Sequence, residues 1–315
     1  MQSSFNTSPI FLVGAERSGT TLLRLMLNSH SKLAWCNEFE YAVDLISPEG
    51  WPELDTYYQW LETHRIFQAT NFEIDPTLNY PQLIESFLIQ KRTRDRKPLV
   101  GATVHRHFNR LLKLWSDAKF IHIVRDGRDV ARSCIGMGWA GNVWTGIERW
   151  IEAENLWAVL SQSLPGDRQI NVTYESLITN PKSVLEDICN FLNISFESQM
   201  LSYDKTTSYD LPDAKFMYQW KRKLSNREIQ LIESKIGNML LEKNYELSNL
   251  PSIEVTPAMV QKLKLQDWLK RVQFRIDRFG FPLFFADSLS RRLQLNSWQK
   301  NIRLKMNDIE ELYLK

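Results

Sequence analysis

The chain has 315 residues, of which 43% are hydrophobic and 24% charged, and its formal net charge is +2. These values are typical of a globular protein, and so small a charge excludes a nucleic-acid-binding surface that covers the whole molecule. The length favours one large domain with an appendage over two equal halves. The charge is uneven, because residues 255–315 contain 12 Lys and Arg against 6 Asp and Glu.

The cysteines and the N-terminal residues indicate the cellular location of the protein. Cys36, Cys134 and Cys189 are far apart and form no C-x-x-C pair, which fits neither a disulfide framework nor a zinc site. The N-terminal MQSSFNTSP is polar and contains no secretory signal, and no apolar run approaches the roughly 20 residues of a membrane span. We therefore expect a cytoplasmic location.

The predicted elements alternate between strands and helices. The first strand, PIFLVG, is followed by a helix from about Thr20 to Asn28 with apolar side chains on one face. Further strands are expected at LAWC, KPLVGATV, AKFIHIV and QINVTY, and further helices at about 53–67, 81–92, 107–115 and 143–163 and from Pro181 and Ser225 onward. This alternation predicts an α/β fold with a parallel sheet covered by helices on both faces.

The C-terminal segment predicts a helical extension. Thr256 followed by Pro257 is typical of a helix start, and apolar residues at helical spacing then alternate with lysines and arginines. We expect a main domain over residues 1–250 and a basic helical extension over residues 251–315. Two interpretations of the extension stay open: packing on its own domain, or contact with a membrane surface or another subunit.

The stretch GAERSGTT, residues 14–21, contains the most informative motif. Gly14 and Gly19 have the spacing of a phosphate-binding P-loop, in which backbone N–H groups and a helix N-terminus hold an anion. Thr20 stands where nucleotide triphosphatases have the lysine that neutralises the β- and γ-phosphates, and Arg17 supplies a cation instead. The loop hydroxyls belong to Ser18, Thr20 and Thr21. A triphosphate with its metal is a poor fit.

A second anion site is predicted after the strand AKFIHIV. That strand ends in Arg125, where a P-loop enzyme that uses a metal usually has Asp. Arg125 and Arg128, with Ser133 one helical face later, suit a second phosphate. Loop and strand together predict a ligand with two anionic groups that binds without magnesium.

These motifs resemble those of the sulfotransferase family, whose donor is 3′-phosphoadenosine-5′-phosphosulfate (PAPS). GAERSGTTLLRLMLNSH is similar to the family's loop for the 5′-phosphosulfate, FIHIVRDGRDVARS to its 3′-phosphate segment, and VTYESLITNPKSVLEDICNFLNI to its adenine-side strand and helix. The three motifs occur in the family's order and cover most of residues 9 to about 194. The first motif is most similar to that of protein-tyrosine sulfotransferases, and the resemblance implies a P-loop-type sheet.

The resemblance implies binding roles for matched residues. Arg17 would hold the 5′-phosphosulfate together with the loop amides from Ser18 to Thr21. Arg125 and Ser133 would hold the 3′-phosphate, and Tyr174 would lie near the adenine.

The resemblance also implies a general base. In the protein-tyrosine branch a glutamate follows the second strand, and Glu38 occupies the matching place. We expect Glu38 to accept the proton of an acceptor hydroxyl in an in-line transfer, with Arg17 steadying the leaving phosphate and no metal involved. Glu38 can also be interpreted as an exposed carboxylate or an ion-pair partner of Arg17, in which case Glu40 and the histidines at 105 and 107 are the other candidate bases.

The chain departs from the family in two segments. Many members have a lysine in a K-T-P stretch, where this chain has VGATVHRH with Ala102 in the place of the lysine. The candidate substitutes are His105, Arg106 and His107. An R-K-G segment of the cytosolic members is also absent, which leaves Lys215 as the candidate for part of the 3′-phosphate pocket.

We therefore expect a PAPS-dependent sulfotransferase that acts on a hydroxyl acceptor whose class the sequence does not specify, with no nucleic acid partner. Two alternative hypotheses remain. The missing K-T-P lysine supports a non-catalytic module that binds PAPS or its product PAP. A magnesium-dependent P-loop nucleotide kinase is opposed both by the missing loop lysine and by Arg125.

Overall fold

The computed structural model of the protein describes residues 8–205, 207, 209–293 and 296–313. The chain divides into two compact units. The first consists of Met1–Arg125 and Arg149–Met217, and the second of Asp126–Glu148 and Tyr218–Lys315. The predicted division at residue 250 stays a prediction.

A parallel β-sheet forms the framework of the first unit. Its strands in the described part of the chain are β1 (Ile10–Val13), β2 (Leu33–Glu38), β3 (Leu99–Val104), β4 (Lys119–Val124) and β5 (Gln169–Thr173). They follow the order β2-β3-β1-β4-β5, and every neighbouring pair is parallel. From β1 the chain passes to β2 at one edge, returns to β3 beside β1, and then crosses to β4 and β5 on the other side. In open α/β sheets ligands bind at such a point, beyond the carboxyl ends of the strands.

Helices fill most of the remaining chain. In chain order they are α1 (Thr20–Asn28), α2 (Leu54–Leu61), α3 (Arg65–Gln68), α4 (Tyr80–Asp95), α5 (Leu111–Leu114), α6 (Gly127–Gly136), α7 (Val143–Gly146), α8 (Glu148–Ser163), α9 (Tyr174–Thr179), α10 (Pro181–Phe191), α11 (Trp220–Lys223), α12 (Asn226–Glu242), α13 (Pro257–Phe279), α14 (Phe281–Arg292) and α15 (Asn296–Glu311). Short 3₁₀ segments are Glu40–Ala42, Phe108–Arg110, Gly166–Arg168, Ser198–Lys205 and Ala214–Phe216. The predicted α/β sheet with a helical C-terminal extension is confirmed.

Two predicted helices are interrupted for local reasons. The helix expected at about 53–67 ends before His64, whose side chain accepts a hydrogen bond from the Phe67 N–H and thereby caps α3. The helix expected at 143–163 is divided into α7 and α8 at Ile147, next to Gly146, where a Cβ would lie 2.6 Å from the carbonyl oxygen of Ala131. Helical periodicity reveals neither the His64 cap nor this close approach.

The core of the first unit has a layer on each face of the sheet. Alternate strand residues point to opposite faces. Leu12 and Ile121 contribute to a buried cluster that includes side chains from α1 and α10. Phe11, on the opposite face of β1, packs against Trp115 and Phe120 with ring centroids 5.3 and 6.0 Å apart. On the same face as Phe11, His122 of β4 stacks on Trp157 of α8, so helices cover both faces and the carboxyl edge of the sheet is left for the candidate site.

A buried ion-pair network organises the second unit. The Arg128 side chain, only 1% exposed, donates to Asp126 Oδ2 at 2.7 Å and to Glu233 Oε1 at 2.6 Å. Its guanidinium lies 3.6 Å from the centroid of the Trp220 ring, and the Trp220 indole N–H also donates to Asp126. We therefore assign Arg128 to stabilising this unit and not to a phosphate site.

The C-terminal extension packs on its own unit through α13. The buried Asp267 carboxylate accepts hydrogen bonds from the Gly141 N–H and the Thr145 hydroxyl, both at 2.6 Å. Elsewhere on α13 Trp268 and Leu269 are exposed. Packing on its own unit is therefore seen, while contact of the extension with a membrane or another subunit stays a prediction. In the described part of the chain, every helix is too short or too polar to span a bilayer.

Replacing Arg128 tests the structural role of the network. Arg128→Ala should lower the free energy of unfolding by about 3–5 kcal/mol, because two carboxylates lose a buried cation. Urea unfolding followed by circular dichroism measures this. Arg303→Ala, which removes an exposed arginine of α15, should change the free energy of unfolding by less than about 0.5 kcal/mol. Equal stabilities of the two variants would contradict the assignment.

Candidate functional site

The loop between β1 and α1 has a backbone that requires its glycines. Gly14 has φ +146°, and a Cβ there would overlap the carbonyl oxygen of Ile123 on β4. Gly19 has φ +93°, and a Cβ there would overlap the ring of Tyr174. Arg17 also adopts a left-handed conformation, with φ 71°. The loop is thus held tightly against β4 and the start of α9.

The loop ends in groups that can donate hydrogen bonds to an anion. Gly19 is the N-cap of α1, no side chain caps the helix, and its first turn contains no acidic residue. The first N–H groups of a helix lack partners within the helix and carry the positive end of its dipole. Ser18 is completely buried, and its hydroxyl has no hydrogen-bond partner within the described residues. This combination fits an anionic ligand above the helix N-terminus.

Arg125 connects the loop to the neighbouring strand end. It follows β4 directly and is only 9% exposed. Its guanidinium donates to the Arg17 carbonyl at 3.1 Å and to the Phe216 carbonyl, and lies 4.2 Å from the centroid of the Tyr174 ring. The structure therefore brings together Arg17, Arg125 and Tyr174, which the sequence assigned to one nucleotide site, although their binding roles stay predictions.

Ser133 and Lys215 are the other residues that the sequence assigned to the 3′-phosphate pocket. Ser133 is half-buried on α6 in the second unit, and its role in holding a 3′-phosphate stays a prediction. Lys215 is exposed and pairs with Asp213, with its Nζ 2.7 Å from Asp213 Oδ2. Its role in the same pocket also stays a prediction.

A buried chain of hydrogen bonds joins the loop to the segments after β3 and β2. Thr20 Oγ1 lies 3.0 Å from His105 Nε2, and His105 Nδ1 lies 2.7 Å from Glu40 Oε1. The backbone N–H of His105 donates to the same carboxylate oxygen at 2.9 Å. Arg106 instead pairs with Asp44 at 2.6 Å. Among the three candidates for the missing lysine, His105 is therefore the one that contacts a loop residue.

The charges of this cluster shift the pKa values of its members. Burial alone would lower the pKa of His105, but the charge of Glu40 and its hydrogen bond raise it above the ordinary value. Burial would raise the pKa of Glu40, but the charge and hydrogen bonds of His105 hold it below the ordinary value. Both shifts favour a carboxylate paired with an imidazolium.

Glu38, the predicted base, lies at the same edge of the sheet. It is the last residue of β2 and stands in register with Thr103 of β3. Its half-buried carboxylate makes no hydrogen bond or ion pair with any residue that the structure describes. Its negative charge helps to raise the pKa of His105 and opposes the lowering of the pKa of Arg24 by burial. Glu40, in contrast, is hydrogen bonded to His105, and the role of Glu38 as the base stays a prediction.

His122 is a structural residue of the first unit. His122 is 2% exposed, stacks on Trp157 with centroids 4.5 Å apart, and lies 3.0 Å from Asn171 Oδ1, as its position between buried isoleucines predicts. Within the described ranges, no group of three or more His, Cys, Asp and Glu side chains could hold a metal ion.

The sequence did not reveal two contacts of the site. One is the Glu40–His105–Thr20 chain, and the other is the close approach of Tyr174 to Gly19. A signal for the first was present, because Thr20 replaces the loop lysine and His105 directly follows the end of a buried strand. It could be interpreted only once β3 was known to lie between β1 and β2.

A glycine replacement tests the loop geometry. Gly19→Ala should lower the free energy of unfolding by about 2 kcal/mol or more, because the left-handed backbone and the Tyr174 ring both oppose a Cβ. Gly166→Ala, where a Cβ would meet nothing within 4 Å, is the matched control. In a Tyr174→Ala background the Gly19→Ala loss should shrink, and a double-mutant cycle measures this. If the two replacements lower the free energy of unfolding additively, the contact between Gly19 and the Tyr174 ring is contradicted.

Two curated relatives match this chain along part of their length. An uncharacterized protein of Aquifex aeolicus (strain VF5) is 23% identical over 281 residues, which are 81% of this chain and 33% of that protein. Protein-tyrosine sulfotransferase A of Caenorhabditis elegans is 27% identical over 221 residues, which are 65% of this chain and 55% of that protein. The chain thus spans about a third to just over half of the length of these relatives.

Two solved structures share the fold. The sulfotransferase domain from the curacin biosynthetic pathway superposes with a TM-score of 0.57 at 19% identity, covering 78% of this chain and 100% of that one. The sulfotransferase domain from the Synechococcus PCC 7002 olefin synthase gives a TM-score of 0.51 at 20% identity, and the superposition covers 79% of this chain and 99% of that one. At these identities the likeness shows the fold alone.

The family itself follows from the sequence match. The model of the sulfotransferase family matches residues 9–198, which is more than half of the chain. The match includes the loop, the segments after β2, β3 and β4, and Tyr174. The chain therefore belongs to the sulfotransferase family.

Proposed function

We propose that this protein transfers a sulfuryl group from PAPS to the hydroxyl group of an acceptor, without a metal ion. The observation that carries the proposal is the loop before α1 in a chain of the sulfotransferase family: it contains no lysine, and among the described residues its buried Ser18 hydroxyl has no partner and the N-terminus of α1 has no side-chain cap. The curated relative from Caenorhabditis elegans is named a protein-tyrosine sulfotransferase, which supports the same class of reaction.

The residues present fit the nucleotide. A 5′-phosphosulfate in the loop would give acceptors to the Ser18 hydroxyl and to the first N–H groups of α1, which have none among the described residues. Arg17, exposed at the rim of the loop, would add a cation. Arg125 and Ser133 are proposed to hold the 3′-phosphate, and Tyr174 to lie beside the adenine. Bound PAPS would supply the sulfuryl group and a phosphate leaving group.

The protein's own contribution would be fixed charge and orientation. Sulfuryl transfer resembles phosphoryl transfer, in which charge spreads over peripheral oxygens while the attacking and leaving oxygens stay in line. Preorganised donors aimed at that charge lower the barrier without reorganisation. Here those donors are the N–H groups and hydroxyls of residues 18–21 with Arg17. Arg125 and Tyr174 contact the loop and hold its backbone in place. This fixed backbone supports the proposed function.

Glu38 is the proposed general base. It would accept the proton of the acceptor hydroxyl at its carboxylate, so that the attacking oxygen becomes a better nucleophile. Its lack of a hydrogen bond within the described residues and its place at the end of β2 support this role. Glu40 is a weaker candidate, because its carboxylate is 3% exposed and is held by His105.

The kinase alternative meets an additional obstacle in the structure. Asp126 is the acidic residue closest along the chain to the end of β4, where a magnesium ligand is usual. Its carboxylate accepts hydrogen bonds from Arg128 and from the Trp220 indole and is completely buried. A non-catalytic PAPS- or PAP-binding module remains the second candidate, because Ala102 stands in the place of the K-T-P lysine.

Several finer features are kept as predictions. The class of the hydroxyl acceptor is not specified by any motif. A main domain of residues 1–250 with an extension of residues 251–315, contact of the basic extension with a membrane or subunit, and a cytoplasmic location all stay predictions. The exposed Trp268 and Leu269 among basic residues support such a contact.

Removing the loop cation should weaken nucleotide binding. Arg17→Ala should raise the Kd for adenosine 3′,5′-bisphosphate about 10- to 150-fold, because a charge-assisted contact contributes about 1.5–3 kcal/mol. Calorimetric titration measures the Kd, and Arg303→Ala on α15 is the control with the same loss of charge. An unchanged Kd for Arg17→Ala would discard the assignment.

Removing the base should separate binding from transfer. Glu38→Gln should bind adenosine 3′,5′-bisphosphate like the wild type but lose at least about 100-fold in turnover, since a positioned base contributes roughly 10²–10⁴-fold. Turnover is measured as sulfate transfer from PAPS to a panel of phenols, sugars, alcohols and tyrosine peptides, with and without EDTA. Full activity of Glu38→Gln would remove Glu38 as the base. Loss of activity in EDTA would contradict a metal-free reaction.

A further inference from the structure

We propose that Glu40 and His105 form a buried positioning pair whose protonation fixes the Thr20 hydroxyl as a hydrogen-bond donor to the anion in the loop. The inference rests on the proposed function, because it names what orients one donor of the proposed PAPS site. It also bears on a departure of this chain from its family, in which Ala102 stands in the place of the K-T-P lysine.

The geometry of the pair leaves little freedom. Glu40, His105 and Thr20 are 3%, 5% and 4% exposed. Both ring nitrogens of His105 have partners, with Nδ1 2.7 Å from Glu40 Oε1 and Nε2 3.0 Å from Thr20 Oγ1. The His105 backbone N–H holds the same carboxylate oxygen at 2.9 Å, so the ring and the carboxylate are fixed relative to each other.

The protonation state of His105 sets the direction of the hydrogen bond to Thr20. As an imidazolium, His105 donates from Nδ1 to Glu40 and from Nε2 to Thr20 Oγ1, and the Thr20 proton must then point elsewhere. As a neutral ring it keeps the proton on Nδ1, next to the carboxylate, and Nε2 becomes an acceptor for the Thr20 hydroxyl. Only the charged form therefore leaves the Thr20 hydroxyl free to donate to a ligand.

The surroundings favour the charged form. Glu40, Glu16 and Glu38 are the carboxylates whose charges act on His105, and together with the Glu40 hydrogen bond they outweigh burial and raise its pKa. The positive charge of Arg106 acts on Glu40 and helps to lower the pKa of that carboxyl. The stabilisation from the pair is thus fully present below the ordinary histidine pKa and is lost as the pH rises through the raised pKa of His105.

The pair differs from a lysine in how it acts. A carboxylate and an imidazolium together carry no net charge, and the positive end of the pair faces the loop. Its effect is therefore to orient a neutral hydroxyl at the start of α1 and not to add a full charge beside the leaving group. Thr20 would contact the ligand, and His105 and Glu40 would act through it as positioning residues.

The first test is the pH dependence of nucleotide binding. Between about pH 7 and about pH 9 the phosphates of adenosine 3′,5′-bisphosphate are already fully ionised, since their second pKa is about 6. Wild-type affinity should fall about tenfold as the pH rises through the pKa of His105, which corresponds to losing one hydrogen bond. Thr20→Ser should keep this dependence.

Two variants show whether the dependence passes through Thr20. Thr20→Val should bind about tenfold more weakly than the wild type near pH 7 and should show a clearly smaller fall, because it has no hydroxyl to orient and loses only the direct attraction between the His105 charge and the anion. His105→Gln should show no fall, whereas His107→Gln, a nearby histidine outside the chain of hydrogen bonds, should retain the wild-type fall. A wild-type affinity that stays constant while His105 titrates, or a Thr20→Val variant with the same fall as the wild type, would overturn the proposal.

The second test observes the ring directly. Nitrogen-15 NMR of the histidine side chains, assigned with His105→Gln, should show both His105 nitrogens protonated near neutral pH in the wild type. Glu40→Gln should lower the pKa of His105, so that the ring becomes neutral at the same pH. A wild-type His105 that is neutral there would overturn the proposal whatever the protein binds.

The outcomes separate this inference from the proposed function. If adenosine 3′,5′-bisphosphate binds at no pH, the proposed function fails, and inorganic pyrophosphate then serves as the probe of the loop. Pyrophosphate should raise the pKa of His105 more in the wild type than in Thr20→Val, because binding and protonation are reciprocally linked and only the wild type has the hydroxyl that couples them. No shift in the wild type, or equal shifts in both proteins, would overturn the inference.

Discussion

The parallel pairing of β1 with β3 on one side and β4 on the other is the constraint on which the candidate site depends. Parallel strands end at the same edge of a sheet, so the residue that follows each strand meets the residues that follow its neighbours. Because β3 lies between β1 and β2, His105 lies between Thr20 of the loop and Glu40. On the other side, β4 ends in Arg125, which reaches back to the loop carbonyl of Arg17.

Contacts with residues outside the loop help to hold the loop in place. Gly14 lies against the β4 backbone, Gly19 against Tyr174, and the Arg125 guanidinium stacks on that same ring. None of these contacts requires a ligand. The N–H groups that would receive a phosphosulfate are therefore held in place before binding, which is the arrangement that electrostatic catalysis of group transfer needs. The contacts that hold the loop in place and the uncapped N–H donors at the start of α1 together fit the proposed transfer.

Structural features that depend on neighbouring residues of the sequence could be predicted. Contacts that depend on the order of the strands in the sheet could not. The glycine spacing, the apolar first strand and the polar start of the next helix predict the loop, and the helix from Thr20 to Asn28 is found with those bounds. Arg128 illustrates the limit: its spacing from Arg125 suggested a phosphate ligand, but Asp126 and Glu233 bury it in an ion-pair network. His105 was one of three candidates of equal standing until β3 was seen beside β1. Contacts between residues distant along the chain decide such cases.

We propose that the loop binds a nucleotide with two separate anionic groups and not a triphosphate with magnesium. The decisive measurement is calorimetric titration of the wild-type protein with adenosine 3′,5′-bisphosphate, beside ATP with magnesium. We expect micromolar binding of the bisphosphate and little response to ATP. Tight binding of magnesium ATP with no response to the bisphosphate would refute the proposed nucleotide site and place the nucleotide kinase hypothesis first.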